Sequence, residues 1–92
     1  MSTKKVFTPE QAKETAGKIG LDFSLVEFDL EQFRMGMDVE LEHGKVDPQT
    51  NVTNDDPLLT GKIALAHLRE FPDYYTRLYE MEEEAEAYWE KQ

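Results

Sequence analysis

Two histidines are the residues of this sequence best suited to bind a metal ion, because each has a glutamate three positions away. The first pair is Glu40 and His43, and the second pair is His67 and Glu70. Residues three apart lie on the same face of a helix, so each pair can direct an imidazole nitrogen and a carboxylate oxygen the same way. The sequence therefore offers four nitrogen and oxygen donors in two short helical motifs.

The two motifs run in opposite order, which predicts a shared site if their helices are antiparallel neighbours. His43 would then lie level with His67, and Glu40 level with Glu70, with about 4.5 Å between the two levels. Facing carboxylates repel unless a cation or a shared proton lies between them. We therefore predict a metal site formed by these four residues, with Asp73 as a further ligand or a hydrogen-bonding neighbour. Donors without sulfur suit zinc, manganese or iron, and a symmetric homodimer would bring two such sites together.

A purely structural interpretation of the same histidines stays open. His43 can stabilise a helix C-terminus, where the partial negative charge of the helix favours an imidazolium. His67 can be a buried histidine bonded to either glutamate, with Arg34 or Arg69 neutralising the acidic groups. Glu40 follows Met37 by three positions and Glu70 follows Ala66 by four, so both glutamates are expected on the buried stripes of their helices. An ionised carboxylate there is costly unless it is paired or bound to a metal.

Charge and composition limit the partners of the chain. The 92 residues carry a net charge of −10, and residues 1–20 are net positive, so the excess of acid lies in residues 21–92. Such a surface repels phosphate, and we expect no direct contact with nucleic acid. The simplest interpretation of the acidic surface is that it keeps the protein soluble. The alternative is that it attracts a protein with a basic surface or imitates nucleic acid. The second hypothesis is therefore a non-enzymatic interaction module that uses the acidic C-terminal helix.

Several classes of function are disfavoured by what the sequence lacks. The chain has no cysteine, which excludes disulfides, thiol nucleophiles and iron–sulfur clusters. Ser2 and Ser24 have no partner of the triad type, so we lean away from an enzyme and expect no organic cofactor. The N-terminal residues do not form a signal peptide, and no stretch is long and apolar enough for a membrane span. We therefore expect a cytoplasmic protein without a membrane contact.

The periodicity of apolar residues predicts the helices that hold these motifs. A short helix begins after the N-cap Thr8 and ends at Gly17 and Gly20, and three main helices follow. Asp29 and Asp56 are expected to cap the first two of these. Their predicted ranges are about 30–43, 57–71 and 73–89. Residues 21–28 are interpreted as an apolar connector, and residues 45–56 as a polar loop. The last helix repeats apolar residues at spacings of four and three, which we assign to core packing; these residues are Tyr74, Leu78, Met81, Ala85 and Tyr88.

These elements predict one all-α domain over residues 1–92, a small antiparallel bundle of three main helices plus a short N-terminal helix. Residues 1–7 are expected to form a flexible N-terminal segment. A domain of this size buries a modest core, so a bound metal or a partner would contribute usefully to its stability.

Several segments that together cover about half of the chain form one recognisable pattern: Phe33–Met37, Glu40–Gly44, Thr50–Thr53, Gly61–Leu68, Glu70 and Pro72–Tyr75. In these residues the chain resembles a family of small uncharacterised helical domains from bacteria and their phages. The resemblance implies a bacterial or phage setting and no particular activity. The second hypothesis places the interaction module in this setting, as a phage accessory protein or a protein that binds a host factor.

Overall fold

The computed structural model describes residues 6–90, and over this range the chain is helical without a strand. Four α-helices are joined by loops and by two single turns of 3₁₀ helix. The α-helices are α1 (Pro9–Lys18), α2 (Leu30–Glu40), α3 (Pro57–Glu70) and α4 (Tyr74–Glu90), and the 3₁₀ turns span Phe23–Leu25 and Leu41–His43. The predicted all-α fold, with a short first helix and three longer ones, is confirmed.

The helices begin where the sequence provides side chains that accept hydrogen bonds from free backbone N–H groups. The Thr8 hydroxyl accepts from the backbone of Gln11, whose side chain in turn accepts from the Thr8 N–H, and this reciprocal pair starts α1. Asp29 and Asp56 accept in the same way at the starts of α2 and α3. These caps were predicted, and they fix the ends of the helices from which the candidate site is built.

Helix α2 is the central element, since α1, α3 and α4 all pack against it. Phe33 and Met37 on its inner face are fully buried. The rings of Phe23 and Phe28 from the preceding connector pack edge to face, and Phe23 also meets Phe33. The buried apolar side chains that form the core are Ala12, Ala16, Phe28, Phe33, Met37, Ala64, Leu68 and Tyr75. The connector over residues 21–28 is therefore part of the core, as predicted, and contains a 3₁₀ turn.

Two glycines allow the helices to approach closely. A Cβ atom at Gly36 would lie 2.5 Å from the ring of Tyr75 and 3.1 Å from the Cβ of Ala64. A Cβ atom at Gly61 would lie 2.7 Å from the methyl group of Thr15. The absence of a side chain at Gly36 thus gives the Tyr75 ring its place between α2 and α4.

A buried ion pair holds the start of the described chain against α2. Asp38 accepts hydrogen bonds from the backbone N–H groups of Val6 and Phe7, at 3.2 and 2.9 Å, and from Arg34 at 2.6 Å. Arg34 also binds Glu31 and is 4% exposed. Residues 1–5 of the predicted flexible segment lie outside the described residues. The last two residues of that segment, Val6 and Phe7, are held by their hydrogen bonds to Asp38.

Helix α4 leaves the core after its first turns, which corrects the assignment of its whole apolar repeat to core packing. Tyr75 is buried, and Tyr74 and Leu78 are partly buried. The later members of the repeat, Met81 and Tyr88, are 58% and 59% exposed. The repeat therefore extends past the point where α2 and α3 cover it. Among residues 6–90, no helix has the length and apolar character to cross a membrane.

Candidate metal centre

The centre of the candidate site is the carboxylate of Glu40, at the last residue of α2. Its side chain is 3% exposed, although the chain has abundant surface for acidic residues. Glu40 follows Met37 by three positions and Phe33 by seven, so it continues the buried stripe of α2. Burial of a carboxylate is unfavourable unless polar or charged groups surround it, and the surrounding groups therefore define the site.

Two side chains bind the same oxygen of Glu40 and also contact each other. The Tyr75 hydroxyl donates to Glu40 Oε2 at 2.7 Å, and His67 Nδ1 lies 2.9 Å from that oxygen. His67 Nδ1 is also 3.0 Å from the Tyr75 hydroxyl oxygen. We call these three atoms the donor triangle: Glu40 Oε2, His67 Nδ1 and Tyr75 Oη. It joins the end of α2, the last turns of α3 and the start of α4.

The other oxygen of Glu40 faces the second histidine. His43 Nδ1 lies 3.1 Å from Glu40 Oε1, and the His43 side chain is 52% exposed at the rim of the site. Oε1 is buried and has no partner with hydrogen-bond geometry among the described residues. The backbone carbonyl of His43 accepts from the N–H groups of Val52 and Thr53, so the polar loop fixes this turn of the chain. Glu40 thus lies between both imidazoles, one on each carboxylate oxygen.

The remaining two predicted ligands lie elsewhere. Glu70 is exposed at the end of α3, beside Glu27 and Phe28. Asp73 is 48% exposed and accepts a hydrogen bond from Arg77. His67 lies against Glu40 itself, whereas the predicted register placed Glu70 level with Glu40. Helix α3 is also rotated relative to the prediction, so that Glu70 is exposed.

The rotation of α3 follows from which of its residues are buried. Its inward face consists of Thr60, Gly61, Ala64 and Leu68. The sequence interpretation placed Ala66 on this face, but Ala66 is exposed, and so is Glu70, which follows it by one helical turn. His67 lies at the edge of the inward face with its side chain 33% exposed.

Aromatic packing fixes the orientation of the His67 ring. The ring of Tyr74 stacks on it with the centroids 4.6 Å apart and the planes 8° from parallel. Tyr75 meets the same imidazole edge to face. Burial, together with the hydrogen bond to Glu40, raises the pKa of the Tyr75 hydroxyl well above its usual value, so the phenol is neutral in this environment.

The arrangement agrees in part with the purely structural interpretation. His67 is bonded to Glu40, as that interpretation predicted, but Arg34 does not neutralise the site, since it binds Glu31 and Asp38. Considering only His, Asp and Glu within residues 6–90, no group of three or more is arranged to hold a metal ion. The donor triangle contains two of these residues, and its third member is a tyrosine.

Tyr75 is the site residue that the sequence interpretation missed. We assigned Tyr74 and the residues that follow it to core packing and gave the adjacent Tyr75 no role at the site. The partner of the Tyr75 hydroxyl is 35 positions away, so no local spacing indicates the contact. The only available indication is general: a buried tyrosine hydroxyl needs a hydrogen-bond partner, and Glu40 was already expected to be buried.

Comparison with known proteins gives one match. The family model described as "Protein of unknown function (DUF5661)" matches residues 12–84, which include every residue of the donor triangle and His43. No curated protein and no solved structure matches the chain.

Proposed function

Because the chain belongs to the DUF5661 family, whose function is unknown, we propose from the geometry of the Glu40 centre that the domain binds one metal ion. The proposed ligands are Glu40, His43 and His67, and the ion has a structural or regulatory role. These three residues are not arranged as a metal-binding group in the metal-free domain, so binding would require the half-exposed His43 side chain to turn toward the ion. Glu70, the fourth ligand expected from the sequence, is left out of this proposal because its side chain is exposed away from the centre.

The observation that carries the proposal is the buried Glu40 carboxylate with an imidazole nitrogen near each oxygen. The two nitrogen–oxygen distances are 2.9 and 3.1 Å. Such distances occur between protonated imidazoles and a carboxylate, and also between neighbouring ligands of one ion, whose bonds are about 2.0–2.2 Å long. The buried oxygen without a hydrogen bond favours the second arrangement, because a cation would neutralise it.

A bound ion would also stabilise the small core. A ligand present at one hundred times its dissociation constant stabilises the native state by about 2.7 kcal/mol. For a domain of this size that corresponds to a rise in the melting temperature of roughly 10–20 °C. The expected ions are zinc, manganese and iron, which suit nitrogen and oxygen ligands.

Elemental analysis combined with thermal unfolding tests this proposal. Protein purified without chelator should contain close to one metal ion per chain, and EDTA should lower its melting temperature. Glu40→Gln should abolish binding. Glu70→Gln is the matched control, since it removes one exposed carboxylate near the same end of α3 and should bind as the unmodified chain does. Absence of stoichiometric metal, with a melting temperature insensitive to EDTA and to added zinc, manganese and iron, would refute the proposal.

A second candidate function is supported by the exposed end of α4. Met81, Tyr88 and Trp89 are 58%, 59% and 70% exposed, and they lie among acidic residues. Ala85 and Trp89 line a shallow apolar groove together with Glu82, Glu86 and Glu90. Large apolar side chains exposed on one helix are a common feature of protein contact sites, and the acidic surroundings favour a basic partner.

The interaction module would act without an enzymatic step, as a phage accessory protein or a binder of a host factor. Affinity capture from host lysate should retain a specific partner at low salt and lose it at high salt. Replacement of Glu82, Glu83, Glu84 and Glu86 by glutamine should abolish the capture, and Trp89→Ala should weaken it. Capture that is unchanged in both variants would exclude this surface.

Both candidate functions are compatible with a cytoplasmic location in a bacterial or phage-infected cell, which we include in the proposal. The support is the family resemblance and the absence of cysteine, which is typical of proteins in a reducing compartment.

A further inference from the structure

We propose that Tyr75 is itself a metal ligand and that the donor triangle forms one face of a six-coordinate iron or manganese site. This inference rests on the proposed metal-binding function and extends it, since it names the metal class and adds a ligand from α4. The three atoms of the donor triangle are mutually 2.7, 2.9 and 3.0 Å apart.

The size of the triangle distinguishes between coordination geometries. If an ion lies about 2.1 Å from all three atoms, these edges correspond to ligand–metal–ligand angles of about 80–90°, the angles of an octahedral face. A tetrahedral zinc site with bonds of the same length would need edges of about 3.4 Å. The triangle is therefore too small for three tetrahedral ligands and has the right size for three adjacent ligands of an octahedral ion.

The chemistry of the three donors favours iron or manganese for the same position. Carboxylate and phenolate oxygens are hard donors, and imidazole is an accepted ligand of both metals. The positions opposite the triangle are left for His43, for the second oxygen of Glu40 and for water. The Glu40 side chain is 97% buried, and its Oε1 atom has no hydrogen bond among the described residues, which is an independent indication that a cation belongs here.

Tyr75 is held where a ligand of this kind must be. Its ring fills the space left by Gly36, and any side chain at that position would displace it. The Tyr75 hydroxyl oxygen lies 3.0 Å from His67 Nδ1, which is a hydrogen-bond distance. The ring of Tyr74 fixes the plane of the His67 ring. On binding, the oxygen–metal bond forms as the phenol O–H bond breaks, and the proton leaves to solvent.

Titration with ferric ion, supplied as its nitrilotriacetate complex to chelator-treated full-length protein, tests the role of Tyr75 directly. Phenolate bound to ferric ion gives a visible charge-transfer band, and ionisation of one tyrosine gives a near-ultraviolet difference spectrum. We expect both signals to saturate at one iron per chain. Tyr75→Phe should abolish both, whereas Tyr79→Phe, an exposed tyrosine one turn further along α4, should leave both unchanged.

A second probe, cobalt(II), tests the coordination number and is independent of any variant. Six-coordinate cobalt absorbs weakly in the visible range, and tetrahedral cobalt absorbs strongly. We expect the weak spectrum at one cobalt per chain. A strong spectrum would overturn the six-coordinate site.

The outcomes separate this inference from the proposed function. Stoichiometric binding of zinc, manganese or iron without a charge-transfer band, or with a band that survives in Tyr75→Phe, would overturn ligation by Tyr75 while metal binding stands. Failure to bind any of these ions would refute both proposals. If Tyr75→Phe does not fold, the near-ultraviolet signal of the unmodified protein decides: no tyrosine ionised per bound iron overturns the inference.

Discussion

The hydrogen bond between Tyr75 and Glu40 should be a strong polar contact of the metal-free domain. It is 2.7 Å long, its acceptor is 97% buried, and its donor residue is 1% exposed. A hydrogen bond to a charged group contributes about 1.5–3 kcal/mol to stability. Tyr75→Phe removes the donor and leaves Glu40 Oε2 with His67 alone. We therefore expect the free energy of unfolding to fall by about 2–3 kcal/mol in EDTA.

A double-mutant cycle with Glu40→Leu, which removes both acceptor oxygens, isolates this contact from the packing of the two side chains. The loss in the double variant should be smaller than the sum of the two single losses by about 1.5–3 kcal/mol. The measurement is urea unfolding followed by far-ultraviolet circular dichroism, with EDTA present so that no ion contributes. Tyr79→Phe should change the stability by no more than about 0.5 kcal/mol. A coupling energy below about 0.5 kcal/mol, the value typical of independent residues, would refute the reasoning.

Three further predictions concern packing, pH and the N-terminal contact. Gly36→Ala should destabilise the domain by about 1–3 kcal/mol in thermal unfolding, because its Cβ atom would meet the Tyr75 ring. Gly17→Ala is the control and should be neutral or stabilising, since nothing beyond the backbone of its own helix and its chain neighbours lies within 4 Å of the added Cβ position. Because the pKa of Tyr75 is raised in the folded state, its contribution to stability is complete below the pKa of an unfolded tyrosine, about 10, and is lost as the pH rises further. Above that pH the free energy of unfolding should fall by up to about 1.4 kcal/mol per pH unit. Tyr75→Phe should remove this slope. Asp38→Ala should cost about 3–5 kcal/mol in urea unfolding because it leaves Arg34 buried without this partner, and a loss below 1 kcal/mol would contradict that reasoning.

The sequence predicts helix starts well in this domain because each depends on a few adjacent residues. Thr8, Asp29 and Asp56 are short polar side chains directly before helical segments, and all three cap as expected. The burial of Glu40 was also predictable, since its spacing from Phe33 and Met37 places it on the same stripe. The residue at which α2 ends was not predictable, because a 3₁₀ turn over Leu41–His43 continues directly from the α-helix.

The rotation of α3 about its own axis could not be predicted from the positions of its large apolar residues. Its buried face includes Thr60 and Gly61, because close contact with α1 requires small residues there. Leu58 and Leu59, which the periodicity favours, are 37% and 44% exposed. The position of Glu70 follows from this rotation, so the error at one predicted ligand is a consequence of packing between helices that no single-helix pattern contains.

The location of the only tryptophan determines what its fluorescence can report. Trp89 is 70% exposed near the end of α4, and the ring of Tyr88 packs against it. Its emission will follow the fraying of that helix end, whereas the near-ultraviolet dichroism of the Tyr74 and Tyr75 rings, which meet edge to face, will follow the loss of the centre. Unequal midpoints from the two probes would therefore measure the independence of the α4 end from the rest of the domain, not a partly folded core.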